Sequence, residues 1–138
     1  MNYGSYSNRY QETSVTTSSP EQLVVMLYEG AVRSLKQAVT QIARKDLIGK
    51  RQSVDRALAI VQHLQGTLDM DRGGEIAIEL DRLYSYVISK VLDGSIHLRT
   101  APIEEAAKLL TTLLSSWEEV AKQKQKQSQN GLVKVMVG

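Results

Sequence analysis

Apolar residues recur at three- and four-residue intervals from about residue 20 to residue 126. That is the period of amphipathic α-helices. The first run is Leu23, Val24, Leu27, Ala31, Leu35, Ala38 and Ile42, widened on one flank by Tyr28, Val32 and Val39. It predicts a helix from about Pro20 to Arg44. Ser19 is placed to cap it, Pro20 takes the first helical position, and Gln22 can reach back to Ser19 to complete a capping box. Gly30 interrupts the run at a cost of about 1 kcal/mol relative to Ala; close approach of another backbone would explain it, as would chance. A second run, Val54, Ala57, Leu58, Val61, Leu64 and Leu68, predicts a helix over about 49–68, with Asp46 available as its cap. A third, Ile76, Leu80, Leu83, Tyr84, Val87 and Val91, predicts a helix over about 75–93, with Ile78 and Leu92 on its far side and Gly94 as its terminator. A fourth, Ile103, Ala106, Leu110, Leu113, Leu114, Trp117 and Val120, broadened by Ala107 and Leu109, predicts a helix over about 102–126. Glu104 and Glu105 in its first turn complement the helix dipole.

The links are short. Lys45–Gly49 joins the first pair, Asp69–Gly74 reads as an Asp/Gly turn, and Ser95–Ala101 joins the last pair. Four amphipathic helices so connected predict an all-α, antiparallel up-down-up-down four-helix bundle over residues 18–126. Residues 1–17 are polar, with Tyr3, Tyr6 and Tyr10 among Ser, Asn, Gly and Gln. They read either as a disordered terminus or as a flexible arm that docks on the body through Tyr10 and Val15. Residues 127–138 form a C-terminal tail, in which Asn130-Gly131 is expected to stop any helix. The β-prone Leu132–Val137 either packs back or is dispensable. The stripes on the first and fourth helices approach half of the helix surface. That surplus is either a thick core or a groove for a partner segment.

Charge narrows the partners. Residues 1–121 carry 13 Lys/Arg against 15 Asp/Glu, while residues 122–138 carry four Lys and no acid. The body is therefore weakly acidic, and nucleic acid is not an expected partner. Cysteine is absent, which excludes disulfides, a thiolate nucleophile and a cysteine zinc site. No apolar run suits a bilayer span, so stable membrane insertion is not expected. The N-terminus has neither the basic nor the apolar region of a secretory signal. A cytoplasmic location is expected.

No catalytic constellation is found, so an enzyme is not expected, and neither is a cofactor. His63 reads as a helix-surface residue and His97 as a loop residue. The residues three before them, Ile60 and Gly94, do not make the Glu-x-x-His pairs of a di-iron bundle. Gly73-Gly74 lacks the strand and the lysine of a phosphate loop. Asp69 and Asp71 read as turn caps rather than as a cation site.

The stretch Ser18-Ser19-Pro20-Glu21-Gln22-Leu23, continuing through Met26-Leu27-Tyr28-Glu29-Gly30-Ala31, resembles the signature of the flagellin-specific export chaperones, the FliS family. Tyr10 ahead of Val15-Thr16-Thr17, then Thr67-Leu68-Asp69, Gly73-Gly74-Glu75-Ile76-Ala77, Leu83-Tyr84 with Tyr86, and Trp117-Glu118-Glu119 are similar to further family blocks in order and spacing. The resemblance covers roughly Tyr10 to Val120. It implies a cytosolic chaperone that binds the disordered C-terminal region of flagellin, prevents premature polymerisation and keeps it competent for flagellar type III export. It implies that Tyr10 engages the export gate and belongs to a mobile arm, with Val15 as the arm's anchor; the position three before Tyr10, apolar in some relatives, is Ser7. It implies flagellin or arm contacts at Leu27, Tyr28, Ile76, Leu80 and Tyr84. The alternative from another class is a regulatory bundle that homodimerises through its spare stripe when unloaded.

Overall fold

The computed structural model describes residues 19–137, with side chains as far as Gln127. Four helices follow one another: α1 (Pro20–Ala43), α2 (Leu47–Gly66), α3 (Met70–His97) and α4 (Thr100–Val137). No strand occurs among the described residues. The protein is an all-α four-helix bundle. The chain divides into two compact units, Leu27–Leu114 and a second that combines residues 19–26 with 115–137.

In the second unit, the start of α1 is built by the predicted capping box. The Ser19 amide donates to Gln22 Oε1 at 3.0 Å, and the Gln22 amide donates to Ser19 Oγ at 3.1 Å. Two donors that the first helical turn leaves orphaned are thus satisfied reciprocally. Lys124 lies 3.8 Å from Glu21 and ties this start to the second half of α4.

The Leu27–Leu114 unit contains the chain reversals. After α1, Lys45 adopts a left-handed backbone with φ 60°. The turn lets the Asp46 amide donate to the Gln41 carbonyl at 2.8 Å. Asp46 then caps α2 by accepting from the Gly49 amide at 3.0 Å. Asp69 caps α3 in the same way, accepting from the Arg72 amide at 3.0 Å.

The predicted start of the third helix near Glu75 is corrected to Met70. One helical turn forms on the Asp69 cap before Gly74 breaks the backbone, with φ 54° and ψ −132°. A side chain would clash in that conformation, so Gly74 carries the kink. The predicted end is corrected as well. Gly94 lies buried inside α3, and Leu98 supplies the left-handed cap, with φ 52°. The Arg99 amide closes the turn by donating to the Gly94 carbonyl at 2.9 Å. Gly94 serves close approach instead: an added Cβ would lie 2.6 Å from Ile103 Cγ1 and 2.7 Å from the Arg99 carbonyl oxygen. His97, expected in a loop, is the last residue of α3.

The α4 backbone continues to Val137, past the stop expected at Asn130-Gly131. The Lys/Gln run before it is made of good helix formers. The β-preference of Leu132–Val137 needs a neighbouring strand to be realised, and none exists among the described residues.

Polar stitches between helices record their order. Ser53 of α2 donates to Gln41 of α1 at 2.7 Å. Gln65 of α2 donates to Asp81 at 3.0 Å and to Ser85 at 2.8 Å on α3. Lys50, near the start of α2, reaches Ser95 near the end of α3 at 3.2 Å. Lys90 of α3 pairs with Glu105 of α4 at 3.5 Å. Early residues of one helix meet late residues of the next, so successive helices are antiparallel. Between them lie Leu35, Val61, Val87, Val91, Ile103 and Leu110, all buried. Small buried residues, among them Ala31, Ala38, Ala57, Ala77 and Ala106, let the helices approach closely. Gly30 meets the Ile60 side chain of α2, 3.3 Å from an added Cβ, and not a backbone.

Candidate partner-binding surface

The residues singled out by the sequence fall into three groups. Tyr10 and Val15 lie outside the described residues. Tyr28 and Tyr84 are core, at 0 % and 1 % exposure. Leu27 and Leu80 are half-buried, and Ile76 is 74 % exposed.

The two tyrosines meet across the bundle centre, with ring centroids 6.3 Å apart and planes tilted by 55°. Their hydroxyls are 2.6 Å apart, so each ring is buried and each polar tip has a partner. Burial pushes the Tyr84 phenol well above its ordinary value, and the hydrogen bond to Tyr28 pushes the same way. The pair stays neutral and holds α1 against α3. In this closed bundle neither ring is available to a partner.

An exposed apolar surface lies elsewhere on α3. Ile78, Leu92 and Ile96 are 43 %, 41 % and 71 % exposed. With Ser85 and Ser89 between them, they follow positions i, i+7, i+11, i+14 and i+18, which is one stripe on a helix. The stripe spans five turns, about 27 Å. The serines are small, so it dips between Ile78 and Leu92. Gln65 and Lys50 of α2 border it through their bonds to Ser85 and Ser95. Leu47 and Ile48, both exposed, extend apolar surface onto the start of α2. The apolar residues that fell off the predicted core stripe, Ile78 and Leu92, were the sequence signal for this face. Ile96 was not recognised, because the predicted helix stopped at Asp93. Ile76 projects from the other flank of α3, roughly 160° round the helix from Ile78.

On the α3–α4 side, Tyr86 hydrogen-bonds Glu105, and Lys90 sits 5.5 Å over the Tyr86 ring. The bond to Glu105 raises the Tyr86 phenol and lowers the Glu105 carboxyl. The cluster is exposed and holds α3 to α4. No group of three or more His, Asp or Glu among the described residues is placed to hold a metal ion. No described helix is long and apolar enough to cross a membrane.

Ile78, Leu92 and Ile96 thus make a long exposed apolar stripe along α3. The family described as flagellar protein FliS matches residues 1–124. The chain belongs to the FliS family. Among FliS proteins, it is 32 % identical over 117 residues to the flagellar secretion chaperone FliS of Salmonella typhimurium, covering 84 % of this chain and 87 % of that one. It is 31 % identical over 110 residues to the flagellar secretion chaperone FliSB of Pseudomonas aeruginosa, covering 80 % and 87 %. It is 33 % identical over 113 residues to the FliS of Campylobacter jejuni, also a flagellar secretion chaperone, covering 82 % and 88 %.

Proposed function

We infer that this protein is a cytoplasmic flagellar secretion chaperone that binds the C-terminal region of flagellin. The observation that carries the reading is the FliS match across nearly the whole chain. The α3 stripe supplies a seat of suitable chemistry. An amphipathic client segment would lay apolar residues on Ile78, Leu92 and Ile96 and become helical there, a helix-in-groove mode. Covering the client's apolar assembly surface prevents premature polymerisation and keeps the chain exportable. Binding alone accomplishes this, with no bond made or broken. Ile76, Leu80 and Leu27 are further candidate contacts, while Tyr28 and Tyr84 act by holding the bundle that presents them. Tyr10 is the proposed export-gate contact.

Calorimetry with a flagellin C-terminal peptide from the same organism tests the reading. Saturable one-to-one binding with a negative heat-capacity change is expected, because apolar surface is buried on a folding partner. A folded protein that ignores the peptide would overturn the reading. A mass that doubles with concentration, with no client added, would point to self-association through the spare stripe.

A further inference from the structure

The Leu27–Leu114 unit carries a second groove along α1, bordered by α2 on one flank and by α4 on the other. A cavity of about 760 Å3 runs along α1 from Glu29 to Arg44 and is bordered by Arg56 of α2 and Leu114 of α4. A neighbouring cavity of about 390 Å3 shares Lys36 and adds Val39, Ala107 and Lys108. Together they follow α1 for about 22 Å.

The groove's charge is one-sided. Arg33, Lys36, Arg44 and Arg56 line the larger cavity, against Glu29 and Asp46. The Asp46 carboxylate already accepts from the Gly49 amide. Arg56 donates only to neutral acceptors, Gln37 at 3.3 Å and Ser53 at 3.2 Å. The ion pairs among the described residues lie elsewhere and involve none of these four cations. Glu104 and Lys108 offset each other in the smaller cavity. The floor is apolar, with Val32 and Leu114 in one cavity and Val39 and Ala107 in the other. A line of cations above an apolar floor matches a line of carboxylates beside apolar side chains, and not a point anion.

We propose that this groove along α1 docks an acidic amphipathic helix of a protein partner, separately from the segment proposed to sit on the outer stripe of α3. The carboxylates of that helix neutralise Arg33, Lys36, Arg44 and Arg56, while its apolar side rests on Val32 and Leu114. The assignment goes beyond the client reading and does not depend on it.

The probe is a synthetic peptide of about four helical turns, with Leu on one face and Glu on the other. It is titrated into the isotopically labelled full-length protein and followed by amide shifts. Shifts are expected along Val32–Arg44 and Ala107–Leu114, with affinity falling as salt rises. R33E/K36E weakens binding by about tenfold or more, while L92S/I96S leaves it unchanged. If R33E/K36E disturbs the helical circular dichroism, R33A/K36A replaces it. The proposal is overturned by absent binding, by affinity that survives the charge changes, or by shifts that map to α2–α3. A scrambled peptide of the same composition, or inorganic polyphosphate, binding equally well would reduce the groove to a general anion surface and overturn it too.

Discussion

Two faces of α3 carry apolar side chains and have opposite fates. The inner face presents Ala77, Tyr84, Val87 and Val91, all buried. The outer face presents Ile78, Leu92 and Ile96, all exposed. Side chain by side chain, Ile78, Leu92 and Ile96 are no less apolar than these, although Ser85 and Ser89 lie between them. Their exposure therefore does not follow from hydrophobicity. Tyr84 goes inside because Tyr28 comes across from α1 and satisfies its hydroxyl at 2.6 Å. Ile96 stays outside because no helix among the described residues covers it. Burial is decided by what stands opposite, and an apolar face with nothing opposite is the surface a partner can use.

The comparison can be broken by exchanging stability for binding. Tyr84→Ala should do the greatest damage to the fold, a loss of about 3–5 kcal/mol in urea unfolding, because it opens a central cavity and orphans the Tyr28 hydroxyl. An effect near zero would show that the pair is not core. Gly94→Ala, on the same inner face, should cost about 1–3 kcal/mol, because the new methyl meets both Ile103 and the Arg99 carbonyl.

Tyr84→Phe keeps the ring and removes only the hydroxyl. It should cost about 1–2 kcal/mol, with the double change Tyr28→Phe/Tyr84→Phe costing less than the two single changes combined. The same variant has a pH signature. The folded-state phenol of Tyr84 is raised above its unfolded value of 10.0. Its contribution to stability is therefore fully present below about pH 10 and declines at higher pH, where the unfolded chain ionises first. Thermal unfolding of the unaltered protein should drop more steeply above pH 10 than that of Tyr84→Phe.

Ile78→Ser and Ile96→Ser should change stability least, each by no more than about 0.5 kcal/mol. Their effect should appear in calorimetry with the flagellin peptide, as a weaker affinity at unchanged stoichiometry. Affinity that ignores both changes would move the client off this face.

Much of the bundle was legible because it depends on near neighbours. The capping box at Ser19 and Gln22 and the cap at Asp46 each join residues three apart. The end of α3 was misread for a different reason. A glycine after an apolar run is the usual signal for a helix end, but Gly94 answers to Ile103 on the next helix. With α3 taken to end early, Ile96 lost its place on the outer stripe. Tyr28 and Tyr84 were each read as a partner contact, and that they meet one another was not legible, since their hydrogen bond spans 56 residues of sequence.

The sequence by itself determined the helical period, the caps at Ser19 and Asp46 and the family, because propensity, caps and ordered motifs are written within short stretches of chain. Only the tertiary structure decided which apolar residues are core, which face of α3 stays exposed, and that Arg33, Lys36, Arg44 and Arg56 gather in one groove without ion-pair partners among the described residues. Burial and charge neutralisation depend on side chains brought together from different helices, and that proximity is a property of the packed bundle.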